Sequence, residues 1–218
     1  MKTPLSWTYV LYESGDTVGF LMAMVALSPL FIFTSLATVV LVRRELHAVM
    51  CAAGLVANDV LSNVLKKTLS LLPALGSVAF RPAGCERTDG GLPSSHAQFA
   101  AFLVGYGSQC LQLRFWWILL ALYLHLGLTM FGRVYLGYHT VLQVVVGAAL
   151  GILNGTLYGR ISSVHVVPFL EQLAVCRHLS LRDSLRSMRL AARERELTLA
   201  SRERKAPHND REMRCRNY

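Results

Sequence analysis

The chain has 218 residues, of which 53% are hydrophobic and only 16% charged. A soluble domain carries about 25% charged residues, so an ordinary water-facing surface cannot be built from this composition. The formal net charge of +9 is unevenly placed: Glu171 to Tyr218 holds 12 Lys/Arg against 7 Asp/Glu, so it partly describes a basic tail. A basic chain invites a nucleic-acid reading, but the apolar bulk makes a membrane the better partner. The five cysteines (Cys51, Cys85, Cys110, Cys176 and Cys215) show neither a CxxC nor metal-ligand spacing. That argues against a disulfide framework and against a zinc site.

Residues 1–17 are mixed and polar enough to lie outside a bilayer. Val18 to Val42 then runs 25 residues without a formal charge and is closed by Arg43 and Arg44. About 20 residues cross the hydrocarbon core as a helix, so this run is a transmembrane span. It is too long for a signal peptide and has no basic segment directly before it. Pro29 inside it is a candidate kink. A second span is expected from Leu46 to about Leu65, ending in Lys66 and Lys67. It contains Asn58, Asp59 and Asn63, and a polar group at that depth must face protein or water. These residues are either an interhelical hydrogen-bond cluster or part of a site.

Leu69 to Phe80 is an apolar connection containing Pro73 and Gly76, and Arg81 to Pro93 is rich in Gly, Pro and charge. Three more uncharged runs follow: Ala97–Leu113, Phe115–Gly132 and Thr140–Gly159. The first two are short for spans, which implies little tilt or a thin bilayer. The expected fold is therefore all-α, a multi-pass transmembrane bundle of about five spans. It divides into an N-terminal segment (1–17), a membrane domain (18–160) and a basic, partly helical tail (161–218). In the tail, Leu181, Leu185, Met188 and Ala192 recur at helical spacing beside Arg182, Arg186, Arg189 and Arg193. This pattern fits either a basic helix on an anionic membrane surface or a solvated extension.

With five spans, Arg43, Arg44, Arg114, Arg160 and the tail share one side, which the positive-inside tendency makes cytosolic. The 81–96 and 133–139 loops fall on the other side and are basic too. An anionic ligand would account for that exception. Phe80-Arg81-Pro82, Pro93-Ser94-Ser95-His96 and Arg133 to His139 each put Arg, Ser or His at a helix end on this face. Taken singly, each has a plain structural explanation: an interfacial arginine, an N-cap serine, a hydrogen-bonding histidine. Together they supply a helix N-terminus for an anion, two arginines for phosphate oxygens, and two imidazoles. Covalent phosphoryl transfer needs one imidazole to attack phosphorus and one to protonate the departing oxygen.

This constellation resembles the type 2 phosphatidic acid phosphatase superfamily, over about Asn58 to Leu150. Pro-Ser-Ser-His-Ala-Gln-Phe at 93–99, Arg-Val-Tyr-Leu-Gly-Tyr-His-Thr at 133–140 and Arg-Glu-Leu-His at 44–47 look most like its dolichyldiphosphatase branch. The resemblance implies that His139 is the nucleophile and His96 the general acid. Arg81, Ser95 and Arg133 would bind the phosphoryl group, helped by Lys67. It further implies catalysis without a metal or other cofactor, a polyprenyl diphosphate substrate, and a site on the lumenal face of the endoplasmic reticulum membrane. A broader lipid phosphate phosphatase and a catalytically inactive lipid-binding relative remain alternatives.

Three positions depart from the superfamily pattern. Lys67 and Arg81 are separated by 13 residues, seven more than usual. As helix, those seven would displace Lys67 by about 10 Å, so either the connection loops out or the lysine contact is lost. Gly132 stands where a serine is usual, and Gln143 stands four residues after His139 in place of an aspartate. Gln143 can orient the imidazole through its carbonyl without adding charge. The oligomeric state is not encoded in any of these features.

Overall fold

A computed structural model of the chain describes residues 2–5, 10–82, 85, 90–111, 115–173 and the single positions 181, 183, 184, 194, 197, 198 and 201. The chain divides into two units, Met1–Arg182 and Asp183–Tyr218, and the fold below is that of the first. Arg114 and nearly all of the amphipathic pattern after Leu181 lie outside the described residues.

The uncharged runs become helices in the order expected. The first is divided into α1 (Thr17–Val25) and α2 (Ser28–Arg43). The break falls just before Pro29, which sits in the first turn of α2, where a residue lacking N–H leaves no hydrogen bond unmade. None of α2 is buried, although its residues are mostly apolar. Such a surface is stable against lipid tails and not against water. Next come α3 (Leu46–Ser70), a 3-10 segment (Pro73–Ala79), α4 (Ser95–Cys110), α5 (Trp116–Tyr135) and α6 (Val141–Ile161). A π turn at Ser162–Val166 carries α6 into α7 (Val167–Gln172) without a break.

Among the described residues, four helical stretches are long and apolar enough to cross a membrane: Thr17–Arg43, Leu46–Ser70, Trp116–Tyr135 and Val141–Gln172. The remaining expected span is α4. Its 16 residues reach only about 24 Å, but it is enclosed by protein, with every residue from Ala97 to Gly107 buried.

A ladder of glycines brings α6 against α4. Gly147, Gly151, Gly155 and Gly159 recur every four residues and form one face of α6. A Cβ at Gly147 would lie 2.6 Å from the Ser94 carbonyl oxygen, at Gly151 2.3 Å from that of Gln98, and at Gly155 2.3 Å from that of Phe102. From the other side, Gly105 of α4 meets the Ile152 carbonyl in the same way. Without hydrophobic drive between helices in lipid, close backbone approach of this kind supplies the association energy. Hydrogen bonds add α3: Gln98 Nε2 donates to Asn58 Oδ1 (3.0 Å), which also accepts from Asn154 Nδ2 (3.4 Å). An apolar cluster of Ala100, Ala101, Val104, Leu126 and Ala148 ties in α5.

The all-α bundle carries one short addition that composition does not announce. Strands β1 (Lys2–Leu5) and β2 (Val10–Glu13) form an antiparallel hairpin. Val10 packs with Ala23 of α1, with Ala26 just after it and with Tyr138, at the end of the bundle where α3 ends and α4 begins.

Replacing Gly151 by Leu should lower the thermal unfolding midpoint in detergent, because overpacking costs about 1–3 kcal/mol even where the obstacle is a side chain. Here the obstacle is backbone. Gly127→Ala, where an added Cβ meets nothing within 4 Å, should leave the midpoint unchanged. Equal midpoints for the two variants would remove the glycine ladder from this account.

Candidate active site

The end of α5 and the start of α6 explain the spacing from Arg133 to His139. The last turn of α5 closes with Gly137 N–H donating to Val134 O (3.0 Å) and Tyr138 N–H donating to Arg133 O (3.1 Å). Gly137 takes φ +71°, the left-handed cap conformation that glycine adopts without a Cβ penalty. Helix α6 then opens with a reciprocal capping box: Thr140 Oγ1 accepts from Gln143 N–H, and Gln143 Oε1 accepts from Thr140 N–H. Only Tyr138 and His139 lie between Gly137 and the Thr140 cap. The backbone therefore fixes His139 against the last turn of α5, and its own N–H donates to Arg133 O (3.2 Å).

Three groups then determine which ring nitrogen of His139 carries the proton. Nδ1 faces two acceptors, Gly91 O (3.0 Å) and Gln143 Oε1 (3.2 Å), while Nε2 faces Arg81 Nη1 (3.1 Å). The Gln143 amide is oriented by its other end, where Nε2 donates to Val78 O (3.0 Å) and Phe80 O (2.6 Å). The oxygen therefore points at His139, Nδ1 is the protonated nitrogen, and Nε2 presents its lone pair. Burial, followed by the charges of Arg133 and Arg81, pushes the imidazole pKa down to about 2 against the opposing pull of Gln143.

Arg81 and Arg133 are held by one residue, Tyr138. Arg81 Nη1 also donates to Tyr138 O (3.1 Å), and the Arg133 guanidinium lies 4.3 Å from the Tyr138 ring centroid. The Tyr138 hydroxyl in turn accepts from Leu11 N–H of β2 (2.8 Å). Arg133 is itself buried, so the aromatic face compensates part of its lost hydration.

Ser95 and His96 open α4. Ser94 N–H donates to Gln143 O (3.1 Å) and Gln98 N–H donates back to Ser94 O (2.9 Å), so this helix N-terminus abuts the first turn of α6. The first N–H groups of a helix have no intrahelical acceptor and form an anion site. Ser95 Oγ accepts from Ser62 Oγ (3.1 Å) and from Lys66 Nζ, both on α3. With those lone pairs engaged, its hydroxyl hydrogen is left as a donor. His96 is half-buried in the same turn.

Lys67 is not the lysine brought to this cluster. It is exposed, whereas Lys66 turns inward to Ser95. Successive residues on a helix point about 100° apart, and the buried stripe of Cys51, Leu55, Asn58 and Ser62 leads four residues on to Lys66. The seven additional residues do not displace it. They lie beyond α3 in a projection that turns at Gly76 (φ +46°) and returns to Arg81.

Asp59 also points outward and accepts from Asn63 Nδ2 (3.1 Å), so the interhelical polar cluster is built on Asn58 instead. Gly132 has a packing reason to lack a side chain: a Cβ there would sit 3.2 Å from both Cβ and Sδ of Met22 on α1. Ser62, Lys66, Tyr138 and the Gly91 carbonyl are site components that motif reading overlooked. For Ser62 and Lys66 the available signal was the helical phase of α3. Among the described residues, no group of three or more His, Cys, Asp or Glu is arranged to hold a metal ion.

A family model of the PAP2 superfamily matches residues 45–164. Dolichyldiphosphatase of Saccharomyces cerevisiae is 30% identical over 225 residues, covering 97% of this chain and 93% of its own length. Lipid phosphate phosphatase gamma of Arabidopsis thaliana is 34% identical, covering 81% of this chain and 82% of its own. Dolichyldiphosphatase 1 of Homo sapiens is 31% identical, covering 78% and 76%. No solved structure matches the chain.

The depressed pKa of His139 has a consequence for stability. The unfolded chain takes up a proton near pH 6.5, while the folded chain keeps the ring neutral down to about 2. Folding stability is therefore present above pH 6.5 and is lost as pH falls, by up to about 1.4 kcal/mol per unit from this group. The unfolding midpoint in detergent should drop between pH 7 and pH 5 by more in the native chain than in His139→Asn. Equal drops would show that another group titrates.

Proposed function

The chain belongs to the PAP2 superfamily, and we propose that it hydrolyses a polyprenyl diphosphate, dolichyl diphosphate in the first instance, to the monophosphate and phosphate. The coarser reading, a multi-pass membrane phosphatase of lipid phosphates, rests on that membership and on the apolar spans. The finer one is favoured by the relatives named dolichyldiphosphatase. The observation that carries the chemistry is the imidazole of His139, neutral and fixed with its Nε2 lone pair beside Arg81.

In the proposed reaction the terminal phosphate lies among Arg81, Arg133, the Ser95 hydroxyl and the first N–H groups of α4, with Lys66 behind Ser95. His139 Nε2 attacks phosphorus, a P–N bond forms, and the P–O bond to the lipid phosphate breaks. His96 gives its proton to the departing oxygen. Water then attacks the phosphohistidine and loses a proton to His96, and the P–N electron pair returns to Nε2. Nδ1–H stays on Gly91 O and Gln143 Oε1 throughout, where two carbonyl dipoles face the ring as it becomes positive. No step in this scheme calls for a metal ion.

Gln143 suits this arrangement better than the aspartate usual in the superfamily. A carboxylate could accept from His139, but it could not donate to the carbonyls of Val78 and Phe80. Those two residues lead directly into Arg81. The site forms at the end of the bundle opposite Arg43, Arg44 and Arg160. By the positive-inside tendency it faces the lumen of the endoplasmic reticulum, where the product would rejoin the lipid-carrier cycle of N-glycosylation. The Arabidopsis relative supports a second reading, a broader lipid phosphate phosphatase.

Phosphate release by purified protein, compared between a polyprenyl diphosphate and phosphatidate, separates these readings, and a preference for phosphatidate sinks the first. His139→Ala and His96→Ala should each lower kcat by at least about 100-fold, and a native chain no faster than these variants would be an inactive relative. Labelled substrate should leave an acid-labile, alkali-stable phosphoryl adduct that His139→Asn lacks. Lys66→Ala should lower kcat/KM by about tenfold or more and Lys67→Ala by less than about twofold, as a lost charged hydrogen bond requires. Gln143→Glu keeps the acceptor but loses both donors, and it should lower kcat by about tenfold through the unpaired carbonyls. Full activity in Gln143→Glu would show that the amide end has no part in holding Arg81.

A further inference from the structure

The connection from α3 to Arg81 is seven residues longer than the superfamily pattern, and its side chains are the wrong kind for water. Leu46 to Lys66 spans 20 steps of α3, about 30 Å, which equals the hydrocarbon thickness. Lys66 and Lys67 therefore mark the interface at the site end, and residues after Ser70 lie at headgroup level. Polar side chains are expected at that level. Instead Leu71 is 80% exposed, Leu72 47%, Val78 40% and Phe80 48%, while in the 3-10 segment Ala79 is buried and Leu75 half-buried.

The backbone holds this projection in place. Ala79 O accepts from the N–H groups of Gly91 (2.8 Å) and Leu92 (3.3 Å), and Val78 O and Phe80 O accept from Gln143. At its other end, Leu71 continues the outward stripe of Val56, Val60 and Val64 on α3, which faces lipid in a membrane bundle. The exposed ammonium of Lys67 lies one turn before Leu71, placed for the phosphates of headgroups. Continuity with the lipid-facing surface and this cation both select a bilayer as the occupant, over a second protein chain.

We propose that Leu71–Phe80 is an interfacial anchor that seats Leu71 and Leu72, with Val78 and Phe80, at the headgroup–acyl boundary beside the active site. Its seating holds the segment that carries Arg81 and, through Gln143, the His139 imidazole at the level where a lipid headgroup arrives. The insertion stands on the exposed side chains alone. Its effect on turnover rests on the phosphatase reading above, so the two are tested separately.

Leu72→Trp in vesicles of phosphatidylcholine brominated near the headgroup should show emission quenched beyond the native background, and less quenching when the bromines sit near the bilayer centre. Emission unaffected by either lipid overturns the anchor. So does protection of the new tryptophan by a crosslinkable second copy, which would make the patch a protein interface. The double variant Leu71→Gln/Leu72→Gln should raise KM for a vesicle-embedded polyprenyl diphosphate by about fivefold, far below what transfer of two leucines from lipid to water would give, because the spans still hold the chain in the bilayer. Its turnover of a short, water-soluble isoprenyl diphosphate should stay native. Equal loss on both substrates overturns the anchor in favour of a structural role. Quenching as expected, with no turnover of either substrate by the native chain, supports the anchor and overturns the phosphatase reading.

Discussion

Gln143 is fully buried, and every hydrogen-bonding group on its side chain is used. Its oxygen meets the Thr140 N–H and the His139 ring, and its amide meets the carbonyls of Val78 and Phe80. One side chain thereby starts α6, selects the tautomer of His139 and anchors the segment that delivers Arg81. The demand runs in both directions. The 78–80 segment gains two hydrogen bonds from this amide, each worth about 0.5–1.5 kcal/mol, while the imidazole gains its acceptor from the other end. Gly91 belongs to the same constraint: a Cβ there would lie 2.6 Å from the Gln143 amide nitrogen, so the segment leading to Ser95 approaches only because no side chain intervenes.

This polar junction is stable because the helices around it cannot slide. The glycines of α6 seat its backbone on α4 at three successive turns, and Asn58, Gln98 and Asn154 pin α3 at mid-depth. Ser62 and Lys66 then follow at four-residue steps along α3 and arrive at Ser95. The apolar interior thus sets helix register, and helix register sets which polar ends meet. Packing and site are linked through geometry, with no residue of the glycine ladder touching the reacting groups.

Much of this was legible in the sequence. Uncharged runs of span length gave the helices in order, and Arg81, Ser95, His96, Arg133 and His139 stood out as polar residues at their ends. The choice between Lys66 and Lys67 was open to a helical-phase argument, since Cys51, Leu55, Asn58 and Ser62 define the inward face. Motif spacing led to the neighbour instead, because the long connection breaks the count on which such spacing depends. Gly137 and the Thr140–Gln143 pair carry ordinary cap signatures, and together they would have predicted the sharp turn at His139. The hairpin was not legible: its docking depends on Leu11 N–H finding the Tyr138 hydroxyl 127 residues away, a contact that no local pattern encodes.

In the proposed reaction the resting arrangement also lets His139 sit beside an arginine without being wasted on it. Arg81 donates to His139 Nε2, the atom that attacks in the proposed reaction. Both bonds have the charged guanidinium as donor, but a phosphate oxygen also carries negative charge and offers bidentate geometry, so it is the stronger acceptor. In the proposed reaction an arriving phosphate would draw the guanidinium to itself and uncover the lone pair in the same movement. Arg133, buried and stacked on Tyr138, would keep its place in that reaction while Arg81 exchanged partners. The low pKa of His139 completes the arrangement. With cations on the Nε2 side and carbonyls on the Nδ1 side, the proposed reaction would put positive charge on the ring only when phosphorus forms its bond, and water would then meet a phosphohistidine whose remaining proton faces two carbonyl dipoles.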